Sequence, residues 1–306
     1  MNTVICVMGP TASGKTGLAV RLAAHYGTEV ISADSMQIYR CMDIGTAKPT
    51  IEEQDGVPHH MLDILDPAED YSAARYAADA GACADRLLAR GLRPIVAGGT
   101  GLYVDALIGA RSFEDEPDTG AIRARLQAEA ASSGSAALHA RLSQIDPERA
   151  ARLHPNDEKR IIRALEIYEA TGETATERDR RAAARAPRYR AVKIGLDWLD
   201  KTMLYERIDR RVDLMFAAGL PEEARRIRAM HPGRTASQAI GYKELFRYFD
   251  GLCTLQEARE DIARESRRYA KRQLTWLRRD PDIHWIDARD GDKLFLRACE
   301  VIEQNS

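Results

Sequence analysis

An apolar run that leads directly into a glycine-rich loop near the start of the chain constrains the fold more than any other feature. Residues 3–8 read TVICVM, residues 9–16 read GPTASGKT and fit the pattern G-x-x-x-x-G-K-[ST], and a helical pattern follows. In such a loop glycines let backbone N–H groups face a phosphate, the lysine adds a charge, and the hydroxyl, here that of Thr16, suits Mg²⁺. Because the loop lies between a predicted strand and the positive end of a predicted helix, we predict a phosphate site there.

Predicted strands and helices alternate through the rest of the first hundred residues. The segments at 29–35 (EVISADS) and 93–101 (RPIVAGGTG) are typical of buried strands, whereas the segment at 71–91 is typical of a helix closed by glycine. Strands that alternate with helices favour a parallel sheet covered on both faces. We therefore predict an α/β fold with a P-loop NTPase-like core, a parallel sheet flanked by helices.

The pattern changes after about residue 114, because the chain up to residue 188 contains helix signals and no strand signal. Residues 189–198 (YRAVKIGLDW) are strand-like again, and the remainder is mostly helical, including a long helix opened by a capping box at Thr254 and Glu257. We predict a core formed by residues 1–114 and 189–306, with an all-helical insertion domain at 115–188.

Composition excludes several classes of protein. No stretch of about 18 apolar residues could span a bilayer, and the opening segment has no basic region typical of a secretory signal. The five cysteines are scattered without a CxxC pair, which favours neither a disulfide framework nor a zinc site and fits a cytoplasmic protein. The adjacent His59 and His60 point to opposite sides of an extended chain, so we expect structural roles.

The formal net charge of −2 does not indicate a nucleic-acid partner, but basic residues crowd two stretches. Such local stripes can bind a polyanion, or they can be solvated helix faces. The first stretch contains Arg178, Arg180, Arg181, Arg185, Arg188 and Arg190, and the second contains Arg264, Arg267, Arg268, Lys271, Arg272, Arg278 and Arg279.

A hydrolytic nucleotide triphosphatase also needs an acid at the end of a core strand to organise metal and water. Asp34, at the end of the predicted strand EVISA, is the best-placed candidate, and a carboxylate there can hold a metal or act as a base.

Six segments in order make the chain similar to one family. They are GPTASGKT (9–16), ISADSMQIYRCMDIGTAKP (31–49), VPHHMLDILDP (57–67), IVAGGTGLYVDAL (95–107), NDEKRIIRALEIYEATG (156–172) and YAKRQLTWLRR (269–279). Together they resemble the bacterial tRNA dimethylallyltransferases over nearly the whole chain. The resemblance implies that the phosphate belongs to dimethylallyl diphosphate and that the acceptor is N6 of adenosine 37, beside the anticodon of a tRNA.

The resemblance also implies roles for individual residues. Asp34 matches the family's general base, Thr11 its threonine near the bridging oxygen, and Arg211 its diphosphate-binding arginine, although Arg207 and Arg210 lie close enough to leave that choice open. The diphosphate would be held by the loop residues Gly9, Pro10, Thr11, Ala12, Ser13, Gly14, Lys15 and Thr16, with Mg²⁺ at Thr16.

For RNA, the resemblance implies a surface for the anticodon stem-loop that includes part of the helical insertion. The target adenine must leave its stack to react, and Gln37 is a candidate to read its edge. Tyr39 and Tyr103 are candidate stacking partners, whereas Trp276 more readily fits the core. The implied tRNA-binding residues are Asp34, Ser35, Met36, Gln37, Thr100, Lys159, Arg160, Ile161, Ile162, Arg163, Arg267, Arg268, Lys271, Arg272 and Gln273.

Other functions remain to be weighed against this one. An adenylate isopentenyltransferase would use a free nucleotide and would need neither the insertion nor the second basic stretch. A small-molecule kinase would need only the loop, and a non-catalytic RNA-binding module would not need Asp34 beside it. We expect a monomer that binds tRNA, dimethylallyl diphosphate and Mg²⁺, and no membrane.

Overall fold

The computed structural model describes residues 2–109, 119–184 and 186–305 of the 306-residue chain. Within these residues the chain forms one six-stranded sheet with all pairs parallel, in the order β3-β2-β4-β1-β5-β6. The strands are β1 (Thr3–Met8), β2 (Val30–Ser32), β3 (His59–His60), β4 (Ile95–Gly98), β5 (Arg190–Asp197) and β6 (Ile283–Asp287).

Helices connect the strands and form the insertion. Those before the insertion are α1 (Lys15–Tyr26), α2 (Ile51–Gln54), α3 (Ala73–Ala89) and α4 (Gly101–Ile108). Those of the insertion are α5 (Gly120–Ser133), α6 (Ser135–Ile145), α7 (Pro147–Ala151), α8 (Glu158–Thr171) and α9 (Ala175–Ala183). Those after it are α10 (Lys201–Ala217), α11 (Leu220–Ala229), α12 (Tyr242–Phe249), α13 (Leu255–Leu277) and α14 (Asp292–Gln304).

The side chains of β1 alternate between two hydrophobic cores, which explains why the whole strand is apolar. Val4 and Cys6 pack into the larger core, under α3, α4 and α10–α13, whereas Ile5 and Val7 pack into the smaller core, under α1 and α14. A parallel strand buried on both faces needs a continuous apolar run rather than alternation. The predicted α/β core with a parallel sheet flanked by helices is confirmed.

The edge strand β6 was not predicted, since the chain beyond Asp200 was expected to be helical. Only Ile283 and Ile286 of this strand are buried among its apolar residues, while Trp285 is 37% exposed. A spacing of three between buried residues is closer to a helical pattern than to the alternation of a half-buried strand. Because β6 lies at the edge of the sheet, its sequence lacks the alternation that would have predicted a strand.

The chain divides into two compact units, one of Met1–Ile108 with Arg188–Ser306 and one of Gly109–Pro187. The smaller unit is helical within its described residues and has its own core around Leu126, Leu138 and Leu165. The expected boundary between residues 114 and 115 lies outside the described residues. At the other boundary, Arg188 belongs to the larger unit, where its guanidinium pairs with Asp85 at 2.6 Å.

Several arginines of the first basic stretch have carboxylate partners. Arg180 pairs with Glu148, and Arg181 lies 3.0 Å from Glu173. Arg185 lies outside the described residues. In the described parts of the chain, no helix is both long enough and apolar enough to cross a membrane.

Candidate active site

The phosphate loop joins β1 to α1 in a tight turn. Ala12 and Gly14 both have positive φ angles, of 62° and 88°. A Cβ atom at Gly9 would lie 2.7 Å from Ser13 Oγ and 3.0 Å from the carbonyl oxygen of Leu196, so glycine is required there. The helix that follows begins at Lys15, and its first N–H groups have no carbonyl partners within the helix.

A cavity of about 290 Å³ opens beside this loop, within the larger unit. It brings together side chains that are up to 262 positions apart in the sequence, from the loop, the end of β2, α10 and α13. The predicted site residues that line it are Thr11, Lys15, Thr16, Asp34, Ser35, Met36, Gln37, Arg211, Arg272 and Gln273.

Charge in the cavity is strongly unbalanced. Among the described residues that line it, Asp34 is the sole carboxylate, whereas Lys15, Arg211, Lys243 and Arg272 contribute cationic side chains. A concave surface with this balance favours an anionic ligand such as a diphosphate. It provides one basic oxygen centre and no second acid for the organisation of metal and water.

Asp34 follows β2 at the carboxyl edge of the sheet. Its Oδ1 accepts hydrogen bonds from the N–H groups of Met36 (2.9 Å) and Gln37 (3.4 Å), which fixes the side chain in a turn. Its Oδ2 accepts no hydrogen bond from the described residues and belongs to a cavity-lining side chain. The carboxylate therefore caps a turn with one oxygen and keeps the other available for a ligand.

Lys15 and Arg211 flank this carboxylate electrostatically. Burial lowers the pKa of Lys15 to about 8, with the charge of Asp34 acting against this shift and that of Arg211 adding to it. Burial also lowers the pKa of Arg211, again opposed by Asp34. The Lys15 ammonium donates to the carbonyl oxygen of Pro10 at 3.3 Å, which holds it against the loop.

The three arginines left open by the sequence have different positions. Arg211 lines the cavity and makes no hydrogen bond or ion pair with the described residues. Arg207 donates from Nε to the carbonyl oxygen of Ala12 at 3.1 Å and lies over the Trp198 ring at 4.8 Å, so it supports the loop from outside. Arg210 is exposed and does not line the cavity. Arg211 is thus the arginine available to a ligand.

Helix α13 lines the cavity with the side chains of Ile262, Ser266, Tyr269 and Gln273, which are spaced by four, three and four positions. Gln273 is 5% exposed, and its Oε1 accepts from the N–H of Thr11 at 2.9 Å while its Nε2 donates to the carbonyl oxygen of Gly99 at 2.9 Å. This amide therefore links the phosphate loop to the turn after β4.

Three glycines of the AGGTG segment (97–101) permit close approaches around this turn. A Cβ atom at Gly98 would overlap the backbone of Ala33, one at Gly99 would overlap Gln273, and one at Gly101 would overlap the Trp276 ring. Thr100 does not line the cavity, but its Oγ1 accepts from the N–H of Ser35 at 3.2 Å. The segment brings β2, β4 and α13 together beneath the cavity.

The remaining predicted RNA residues of α13 lie outside the cavity and differ in their partners. Arg267 pairs with Asp209, and Arg268 pairs with Glu265 at 2.7 Å. Lys271 is exposed and makes no ion pair with the described residues.

The predicted segment 159–163 lies on α8 in the smaller unit. Ile161 and Ile162 are 0% and 5% exposed in the core of that unit, so their side chains do not face solvent. Arg163 lies 2.7 Å from the buried carboxylate of Glu166. Lys159 and Arg160 are exposed and provide the outward-facing cations of the segment, with Arg160 paired to Asp157 at 3.1 Å.

Two aromatic predictions were wrong. Tyr39 is fully buried, and Tyr103 is 5% exposed and stacks on Tyr76 with ring centroids 4.1 Å apart. Neither lines the cavity, so neither can stack on a base there. Tyr269, which the sequence did not single out, lines the cavity. Its spacing from Ile262 and Gln273 is the sequence signal that could have revealed this face.

Comparison with known proteins identifies the family. The model for "IPP transferase" matches residues 37–280, and the model for "isopentenyl transferase" matches residues 2–65. The chain is 49% identical over 289 residues to a tRNA dimethylallyltransferase from Geobacter sulfurreducens, with 93% of this chain and 91% of that protein covered. The chain belongs to the IPP transferase family.

Solved structures of this family agree with the observed fold. The full-length tRNA isopentenylpyrophosphate transferase from Bacillus halodurans is 44% identical, with a TM-score of 0.74 and coverage of 100% of this chain and 97% of that one. A eukaryotic dimethylallyltransferase acting on tRNA is 28% identical, with a TM-score of 0.80 and coverage of 99% and 80%. Membership makes this chain a prenyltransferase with a P-loop NTPase-like core, so the kinase reading is set aside.

Proposed function

We propose that this protein transfers the dimethylallyl group from dimethylallyl diphosphate to N6 of adenosine 37 in tRNA. The observation that carries the proposal is the cavity in which the phosphate loop, Arg211 and a lone carboxylate, Asp34, meet. A transfer at carbon needs an anion site and one base, and it needs no activated water. The names of the relatives, which describe transfer to tRNA, support the same choice.

The reaction is a displacement at carbon. The N6 nitrogen forms a bond to C1 of the dimethylallyl group as the bond from C1 to the diphosphate oxygen breaks, and the bonding electrons leave with the diphosphate. An exocyclic amine of adenine is a weak nucleophile, so a base that removes its proton during attack lowers the barrier. Asp34 takes that proton on Oδ2, because Oδ1 accepts the hydrogen bonds of the turn.

Cationic side chains and amides stabilise the leaving group. Negative charge grows on the diphosphate as the bond breaks, so fixed donors aimed at its oxygens act mainly on the transition state. Lys15 and Arg211 supply charge, and the N–H groups at the start of α1, which have no carbonyl partners within the helix, supply loop donors. Thr11 lines the cavity, and since its N–H is committed to Gln273, its hydroxyl is the group left for the diphosphate.

The residues present fit a Mg²⁺ ion bound chiefly by its substrate. The Thr16 hydroxyl lines the cavity one residue after Lys15, and no group of three His, Cys, Asp or Glu side chains able to hold a metal occurs in the described residues. Mg²⁺ in phosphate sites commonly keeps waters and uses few protein ligands beside phosphate oxygens. When bound with Thr16, it would neutralise diphosphate charge.

The acceptor must reach the cavity as an unstacked base, which a loop nucleotide does at a cost of a few kcal/mol. Ser35, Met36 and Gln37 line the cavity beside Asp34 and are placed to surround that base. The anticodon stem-loop would use the cations of α13 and those of the segment 159–163. We take the acting species to be a cytoplasmic monomer.

A free nucleotide as acceptor is the second candidate, favoured by the match of residues 2–65 to the isopentenyl transferase model. That match covers the phosphate loop and Asp34, which both reactions share. The two candidates differ only in what carries the adenine.

The test offers the purified protein Mg²⁺ and labelled dimethylallyl diphosphate with unmodified tRNA, AMP or ATP. The proposal predicts label in tRNA and none in either nucleotide. Label in AMP or ATP with none in tRNA would replace the proposal by the second candidate.

A further inference from the structure

A loop at residues 43–47, which precedes α2, forms one wall of the cavity through Gly45, Thr46 and Ala47. The carbonyl oxygens of Thr46 and Ala47 accept from Gln37 Nε2 at 3.3 and 3.1 Å. On its other side the Gln37 Oε1 accepts from Ser32 Oγ at 3.1 Å. The loop therefore sets the orientation of the Gln37 amide and leaves one lone pair of Oε1 for a ligand.

One buried carboxylate holds this loop. Glu223 of α11 accepts at Oε2 from the N–H groups of Asp43 (3.0 Å) and Ile44 (2.9 Å), and at Oε1 from the N–H of Gly45 (2.9 Å). The Tyr242 hydroxyl donates to the same Oε1 at 2.7 Å. Glu223 is 2% exposed, and an ion so buried is tolerated only when hydrogen bonds satisfy it.

Packing around the carboxylate leaves the loop little freedom. A Cβ atom at Gly45 would lie 2.5 Å from the Tyr242 ring, so only glycine fits against that ring. Burial, together with the charge of Glu223, raises the pKa of Tyr242 far above its usual value, which keeps its hydroxyl a donor. The Lys48 ammonium group donates to the carbonyl oxygen of Tyr39 and holds the chain that follows the loop. It has no acceptor atom, so it cannot replace Glu223 as the partner of the loop's N–H groups.

We propose that Glu223 is a positioning residue for the acceptor side of the cavity. It fixes residues 43–45, and the carbonyl groups that follow fix the amide of Gln37 beside Asp34. The proposal rests on the proposed function, because it assigns Gln37 to the adenine. Glu223 does not line the cavity, so its effect on substrate passes through the loop.

The variant Glu223→Gln tests this directly, because it removes the charge and replaces one of the two accepting oxygens by an NH2 donor. That donor would face either the N–H groups of Asp43 and Ile44 or the N–H of Gly45 and the Tyr242 hydroxyl. We expect amide hydrogens of residues 43–45 to exchange at least ~10-fold faster, since a buried N–H group that loses its acceptor no longer holds the loop closed. We also expect the ratio of Kd values for anticodon stem-loops with guanosine or adenosine at position 37 to fall ~10-fold towards one. The Kd for dimethylallyl diphosphate should stay within about twofold.

Glu222→Gln is the matched control, since it makes the same charge change at the exposed neighbouring residue and should alter none of these quantities. If Glu223→Gln does not fold, Tyr242→Phe removes one of the four donors and should shift both readouts in the same direction by less.

The two proposals fail in different ways. Unchanged exchange at residues 43–45, or an unchanged Kd ratio, in a folded Glu223→Gln variant would overturn the positioning role. A wild-type protein that transfers no dimethylallyl group, while Glu223→Gln still loses discrimination at position 37, would overturn the proposed reaction and retain the positioning role.

Discussion

Asp34 combines a structural and a chemical task in one side chain. Its Oδ1 accepts hydrogen bonds from the N–H groups of Met36 and Gln37, and both of these residues line the cavity. The position of the Asp34 carboxylate and the shape of the acceptor site therefore depend on the same two hydrogen bonds. This arrangement orients the second oxygen without a further residue. It also allows the structural and the chemical role to be tested separately, because asparagine at position 34 can still accept the turn's hydrogen bonds but cannot act as a general base.

We therefore expect Asp34→Asn to fold normally and to lose about 10²–10⁴ in kcat, as loss of a general base typically does. Its Kd for tRNA should stay within a few-fold. Single-turnover transfer and circular dichroism measure these effects, and Asp55→Asn, at an exposed carboxylate, serves as the control. Retention of most of the transfer rate in Asp34→Asn would remove Asp34 from the role of base.

The lowered pKa of Lys15 gives diphosphate binding a pH dependence. With a pKa of about 8, roughly nine-tenths of the Lys15 side chains carry charge at pH 7 and roughly one-tenth at pH 9. Since the charged form binds the anion, the Kd for dimethylallyl diphosphate should rise as pH increases through 8. Lys15→Arg, which stays charged, should flatten this profile, and a flat profile in the wild-type protein would contradict the assignment.

At the scale of elements, α13 serves two surfaces. One face lines the cavity with Tyr269 and Gln273, and the opposite side carries cations that differ in availability. Arg264 and Arg268 are paired with Asp261 and Glu265, three residues before each, whereas Lys271 has no such partner among the described residues. A cation already neutralised releases fewer counterions on binding RNA.

The salt dependence of tRNA binding separates these cations. Substitution of Lys271 by alanine should reduce the slope of log affinity against log salt by up to ~0.9 for the lost phosphate contact. Alanine at Arg268, which is paired with Glu265, should reduce the slope by less. Titration of tRNA onto both variants across a salt series measures the difference, and equal slopes for the two variants would show that this side of α13 is a solvated helix face.

Much of α13 and of the neighbouring site could be predicted from local sequence patterns. The remaining features depend on contacts between residues that are far apart in the sequence. The phosphate loop was found from its motif and Asp34 from its place at the end of a predicted strand, whereas Arg211 came from the family resemblance, with Arg207 and Arg210 left open. The link from Gln273 to Thr11 spans 262 positions, and that from Glu223 to Gly45 spans 178, so no local pattern encodes them. The acids that neutralise α13, in contrast, were visible in the sequence at a spacing of three.

At the scale of the whole molecule, the protein combines a phosphate-loop core with a displacement reaction at carbon rather than at phosphorus. The loop and the positive end of α1 remain, but no second acid accompanies Asp34 among the described lining residues. Alternation of strands and helices predicted the sheet, while the edge strand β6 escaped because its buried residues Ile283 and Ile286 lie three apart. The protein is therefore expected to release diphosphate and to leave a prenylated adenine in the tRNA.

The most direct measurement follows both products of one reaction. Purified protein, Mg²⁺, dimethylallyl diphosphate and an unmodified tRNA should yield one diphosphate for each tRNA modified, with the modification at N6 of adenosine 37 by mass spectrometry of nuclease fragments. A tRNA with guanosine at position 37 should yield neither product. Release of inorganic phosphate without a modified base, or modification of the guanosine variant at the same rate, would contradict the account.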